Sequence, residues 1–152
     1  MGRGKAVELG VASVVLVPTR RSVVQLEGTR LAKRMDRLRE IIVAACCQCG
    51  RNRVPGIEEC VDLHEGLRHA ASNAVGAVLQ PGAPESLGDL ARSAGAAFAV
   101  AVGPEGGFDG AELALAERIG YRPVRLGPRI FRTETAGLAA LSTLQATVGD
   151  LR

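Results

Sequence analysis

The sequence predicts an α/β fold: a mostly parallel sheet with helices on both faces, in one domain. Three observations carry this. Short apolar runs alternate along the chain with stretches whose apolar residues recur at steps of three and four, the signature of strand–helix alternation. The apolar runs stop at Pro18, Pro81-Gly82, Gly103-Pro104 and Gly127-Pro128, so they have strand length. Finally, Gly103-Pro-Glu-Gly-Gly-Phe108 follows the apolar run 96–102 and precedes Asp109-Gly-Ala-Glu112, a helix capping box. A glycine loop between a buried strand and a helix N-terminus is where open α/β sheets bind ligands.

In chain order, residues 5–10 form the end of a helix closed by Gly10, and 12–17 a β-branched strand ended by Pro18. Thr19-Arg-Arg-Ser22 lies at that strand's carboxyl end, where paired arginines suit a phosphate or a base and equally suit a solvated loop. From Thr29 to Arg51, Leu31, Met35, Leu38, Ile41, Ile42, Ala45 and Cys49 mark one face of a long helix. Arg30, Lys33, Arg34, Arg37 and Arg39 mark its other face, most simply a solvated one. Residues 51–55 form a polar loop, 61–71 a weaker helix, 74–79 a strand, and 84–94 a helix with Pro near its start and Gly95 as its stop. The strand 96–102, the glycine loop and a helix 109–119 ended by Gly120 come next. A short strand 123–126, a polar loop 129–135 and an apolar helix 134–148 complete the order.

The chain has 152 residues, 47% of them apolar, enough for one domain with a real core. No apolar run approaches bilayer length, and the first residues lack the apolar core of a signal peptide, so a cytoplasmic location is expected. Net charge is +3 but unevenly spread: residues 1–53 carry 11 basic and 4 acidic side chains, residues 54–152 carry 8 and 12. The first third is therefore where a nucleic acid would touch. With only Phe98, Phe108, Tyr121 and Phe131 as aromatics, a base-stacking platform is not expected. Cys46, Cys49, Cys60 and His64 have a spacing compatible with zinc, but thiols at the end of a periodic helix are ordinary core residues, and no metal is expected.

The glycine loop is neither a P-loop nor a dinucleotide fingerprint: it lacks Gly-Lys-Ser/Thr and Gly-x-Gly-x-x-Gly. Neighbouring parallel strands would bring 103–108, 127–135 and Leu79-Gln80 into one crevice lined by backbone groups. Such a lining suits a purine and an amino-acid moiety better than a triphosphate, which demands more cationic neutralisation.

Leu126-Gly-Pro-Arg-Ile-Phe-Arg-Thr-Glu-Thr-Ala136, some twenty residues after the glycine loop, resembles the RsmE family of ribosomal RNA uridine-N3 methyltransferases in the SPOUT superfamily. Glu8-Leu-Gly-Val11, Arg21-Ser22, Gln48-Cys-Gly-Arg-Asn-Arg-Val-Pro55 and Gly149-Asp150 extend the resemblance over nearly the whole chain. It implies a deep trefoil knot in the C-terminal part, S-adenosylmethionine as cofactor, a homodimer to which the final helix contributes, and 16S ribosomal RNA of the small subunit as substrate. It also implies that Leu79, Gly103, Glu105, Gly106, Leu126, Gly127, Ile130, Arg132, Thr133 and Ala136 line the cofactor pocket, with Pro104 and Gly107 shaping its loop. Arg21 is the leading catalytic candidate, as a cation over the charge developing on the uracil ring; Arg132 and Glu105 follow, the latter as a proton acceptor or merely a ligand of its own loop. The chain departs from the family pattern at Arg20, Cys46 and Phe131. The family's N-terminal PUA-like module is expected to be absent, leaving 1–152 as the methyltransferase domain. The alternative is a cofactor-binding remnant serving as an RNA-binding or dimerisation module.

Overall fold

The strand predicted at 74–79 proves to be the middle of the main sheet. In the computed structural model, which describes residues 3–22, 28–95 and 97–151, β3 (Val75–Leu79) pairs on one side with β4 (Phe98–Ala101) and on the other with β5 (Arg122–Val124). Both pairings are parallel, with Val78 opposite Ala101 and Pro123. Pro123 can donate no ladder hydrogen bond, which an edge strand tolerates. Ala96, with which the predicted strand 96–102 begins, lies outside the described residues.

Side chains alternate across a strand, so successive β3 residues enter different cores. Ala77 packs with Leu87, Leu90, Ala91, Val124, Ala140 and Leu144 beneath α4 (Leu87–Ala94) and α6 (Thr133–Thr147). Val78 packs with Leu63, Leu67, Ala99, Ala116 and Tyr121 beneath α3 (Leu63–Ala70) and α5 (Gly110–Ile119). Helices therefore cover both faces, as expected. Gly76 shares the Val78 face, and a Cβ there would sit 2.7 Å from the Tyr121 ring. Tyr121 is buried, which pushes its hydroxyl up to about 12, and that hydroxyl donates to the Leu67 carbonyl at 3.0 Å.

The remaining strands form a second, two-stranded parallel sheet: β1 (Ser13–Leu16) pairs with β2 (Gly56–Glu59). Among the described residues the parallel strands thus hydrogen-bond in two units. One expectation is corrected here: β2 is a strand the sequence did not predict. Gly-Ile-Glu-Glu offers only Ile57 to the core, so no two-residue period exists to be seen. Val17, just past β1, packs against the Leu63–Tyr121 cluster and so joins the sheets.

The long helix α2 (Gly28–Cys49) buries Met35, Leu38, Ile42 and Cys46 at steps of three and four, and Ile42 and Cys46 pack with Val7 of α1 (Arg3–Glu8). Ile41, expected in that face, is 39% exposed, because of two adjacent residues only one can point inward. Arg51, expected in a polar loop, donates to the Val7 and Val11 carbonyls, each at 2.9 Å, and fastens the end of α1. The α4 helix begins at Leu87 rather than at Pro84, capped by Ser86, whose side chain accepts from Asp89 N–H. Residues 85–87 pair instead with Arg125: its N–H donates to Glu85 and its carbonyl accepts from Leu87.

Candidate active site

Because β3 is flanked by two parallel strands, three strand ends open on the same side, and the loops that leave them enclose a cleft of about 850 Å³. Leu79 ends β3, residues 103–107 leave β4, and Leu126 and Gly127 leave β5. Ile130, Arg132, Thr133 and Ala136 line the cleft where the chain enters α6. Every residue expected in the cofactor pocket thus faces this cleft. Sequence reasoning left Pro81, Val102, Val124 and Arg125 outside the crevice loops, although they line the cleft; each lies within two positions of a residue it did name.

The glycine loop is folded tightly on itself. Gly107 N–H donates to the Pro104 carbonyl at 2.8 Å, closing a turn in which Gly107 has φ +68°, a conformation that suits glycine. A Cβ on Gly103 would stand 3.0 Å from Phe108 N and 3.2 Å from the Gly107 backbone, so a side chain there would press on the backbone of the turn. The Gly103 carbonyl accepts from the Thr133 hydroxyl at 3.1 Å, which binds this loop to the entry of α6. Glu105 is exposed at the turn tip, and exposed Arg132 is the N-cap of α6 without a side-chain cap bond.

Arg21 does not line the cleft. It lies against the glycine loop, its guanidinium donating to the Gly106 carbonyl at 2.5 Å. The Thr19–Ser22 turn that carries it is closed by Ser22 N–H to the Thr19 carbonyl and by a 2.6 Å contact between the two hydroxyls. Next to it, Asp109 and Glu112 form the predicted capping box of α5. The Asp109 carboxyl is held below its ordinary value by the Glu112 N–H, helped by Arg20 and the Ala111 N–H. Since the folded value lies below the unfolded one, the cap is fully present above about pH 4 and weakens as pH falls through the lowered folded value. The protection of the Ala111 and Glu112 amides against exchange, relative to the intrinsic rate at each pH, should fall in that acid window, and less so in Asp109→Asn.

The zinc-compatible spacing is not assembled: among the described residues no group of three or more His, Cys, Asp or Glu could hold a metal ion. Cys46 is buried and Cys47 exposed. Burial pushes the Cys60 thiol up, as do Glu65, Glu58, Asp62 and Glu59, which disfavours the thiolate a metal needs. No helix among the described residues is long and apolar enough to cross a membrane.

Known proteins share this arrangement. The chain is similar to the ribosomal RNA small subunit methyltransferases E of Buchnera aphidicola, 31% identical over 147 residues, and Mycobacterium tuberculosis, 32% identical over 143. These alignments cover 97% and 91% of this chain and 59% and 55% of the relatives, so the chain spans somewhat over half their length. Among solved structures, a ribosomal RNA small subunit methyltransferase E from Neisseria gonorrhoeae bound to S-adenosyl methionine superposes with a TM-score of 0.88 at 37% identity, covering 99% of this chain and 61% of that one. The family model described as an RNA methyltransferase domain matches residues 4–145, and the chain belongs to that family.

Proposed function

We propose that this chain is an S-adenosylmethionine-dependent methyltransferase domain that methylates N3 of a uridine in the 16S RNA of the small ribosomal subunit. The observation that carries this reading is the pair of backbone-lined loops, 103–107 and 126–133, tied by the Thr133–Gly103 hydrogen bond around one cleft at the strand ends. The residues present fit the cofactor: the cleft is large enough for it, Gly103 leaves a side chain little room, and Gly127 at φ +121° holds a turn in the cleft lining that suits glycine. The names of the relatives and the cofactor named with the Neisseria structure point the same way.

S-adenosylmethionine supplies a methyl group already activated on a sulfonium. The protein's share is alignment and charge. In this reading Leu79, Gly103, Gly106, Leu126, Gly127, Ile130, Thr133 and Ala136 hold the cofactor, with Pro104 and Gly107 setting the loop. Uracil N3–H is a weak acid and must lose its proton as the ring accepts a methyl. Arg21, exposed on the outer side of the glycine loop, meets the ring and stabilises the negative charge that develops there. Glu105, exposed at the turn tip, takes the N3 proton, and Arg132 at the cleft margin supplies a second cation. The proposal includes a cytoplasmic homodimer with the half-buried Leu138 and Leu141 of α6 at its interface, and the C-terminal knot that the resemblance implies.

Isothermal titration with S-adenosylmethionine tests the cofactor, and mass spectrometry of RNA from small subunits incubated with protein and cofactor tests the reaction. A single added methyl on one uridine is expected. Absence of cofactor binding, or unmodified RNA at saturating cofactor, overturns the reading. Arg21→Ala should lower turnover by about 10²–10³-fold while S-adenosylmethionine affinity stays within a few-fold.

A further inference from the structure

A capping box needs one carboxylate oxygen from its glutamate, and Glu112 uses both. Oε2 accepts from Asp109 N–H at 2.8 Å, closing the box at the start of α5. Oε1 accepts from Arg20 N–H, also at 2.8 Å, across 92 positions of sequence. The residue is 6% exposed, and a carboxylate that loses its water must recover those hydrogen bonds from protein. Both of its oxygens do so, each from a backbone N–H.

The second bond fixes a small rigid unit. The Arg20 guanidinium reaches Asp109 at 3.4 Å, an exposed pair that contributes little. The Arg21 side chain runs over Gly106, where a Cβ would stand 3.1 Å from Arg21 Cδ. The Thr19–Ser22 turn is closed internally, and its docking onto the glycine loop rests on Glu112 at one end and the Arg21–Gly106 bond at the other. Of these two, the Glu112 bond is the sheltered one, because its acceptor Glu112 is buried, whereas the Arg21–Gly106 bond is exposed.

We infer that Glu112 is a positioning residue for methyl transfer: through the Arg20 N–H it holds the Arg21 guanidinium in register with the cofactor loop. This rests on the proposed function and on Arg21 as its catalytic cation. Without the Glu112 bond, the hydrogen bonds left between this turn and residues 103–112, among the described residues, are the exposed ones of the Arg20 and Arg21 side chains, and Arg21 would sample positions away from the reacting ring. Cofactor binding, which depends on the far side of the same loop, would persist.

Four variants of the full chain, assayed singly and in combination on small ribosomal subunits with labelled S-adenosylmethionine, test this. Glu112→Gln keeps the side chain's size but can accept from only one of the two N–H groups. Arg20→Pro deletes the same bond from the other side and leaves the capping box intact. Arg20 is the second residue of the Thr19–Ser22 turn, a position proline favours, and Arg20→Ala is its reference for the lost side chain. The expected result is a kcat roughly 10-fold or more below wild type in Glu112→Gln, and as far below Arg20→Ala in Arg20→Pro, with cofactor Kd changed less than about three-fold. In an Arg21→Ala background neither change should lower kcat further, since an effect acting through Arg21 vanishes with it. Wild-type kcat in Glu112→Gln, or Arg20→Pro equal to Arg20→Ala, overturns the inference while Arg21→Ala remains impaired. Equal losses in the Arg21→Ala background overturn it too, because they assign Glu112 a merely structural role. If Arg21→Ala itself turns over at the wild-type rate, the failure lies in the proposed catalytic role of Arg21 instead.

Discussion

Gly103→Ala is expected to weaken S-adenosylmethionine binding at least ten-fold, about 1.4 kcal/mol, as read by isothermal titration. The added methyl would meet Phe108 N at 3.0 Å and the Gly107 Cα and carbonyl carbon at 3.2 Å. These are backbone atoms, which no rotamer change can move aside. The backbone must give by a few tenths of an ångström, which shifts the turn from Pro104 to Gly107 that faces the cleft. The displacement also reaches the second loop, because the Gly103 carbonyl is the acceptor for Thr133. Gly110→Ala is the control, since a Cβ there has nothing within 4 Å and the residue opens a helix where alanine is favoured. Wild-type affinity in Gly103→Ala would mean that the cofactor does not rest on this loop.

The largest loss of stability is expected from Leu87→Ala. Leu87 is 0% exposed and packs with Ala77, Leu90, Val124, Ala140 and Leu144 at the junction of α4, the sheet and α6. Its removal leaves a cavity that neighbours on three elements cannot fill by moving one side chain, so the cost should be about 2–5 kcal/mol. For a domain of this size that is a fall in Tm of roughly 5–15 °C, measurable by calorimetry or thermal melts monitored by circular dichroism. Below the transition the variant should bind cofactor nearly as wild type, since Leu87 does not line the cleft. A fall of less than about 2 °C would mean that the site collapses around the smaller side chain.

Elements with strong local signals were readable in advance. The face of α2, the strand β3 between Ala74 and Pro81-Gly82, the glycine stops at Gly10, Gly95 and Gly120, and the Asp109–Glu112 capping box all agree with the structure, as do the helices on both faces. The misreadings share a cause. The Gly-Ile-Glu-Glu strand β2 is recognisable only beside β1, and Pro84 does not start α4 because residues 85–87 are engaged by Arg125. Ile41 and Ile42 look alike until the position of α1 decides which is buried.

The site divides in the same way. Sequence by itself determined that two glycine-bearing loops stand at strand ends, because apolar runs, Gly-Pro breaks and caps act over a few residues. It also carried the family resemblance that named the residues of both loops. Only the tertiary structure decided that Gly103 lies under its own turn, that Thr133 ties the loops together, and that Arg21 rides outside the cleft on Gly106. Only there does Glu112, predicted as half of a local cap, turn its second oxygen to Arg20. Such contacts join residues 30 to 92 positions apart. They depend on how packed elements bring distant backbone together, and no periodicity or local propensity records that.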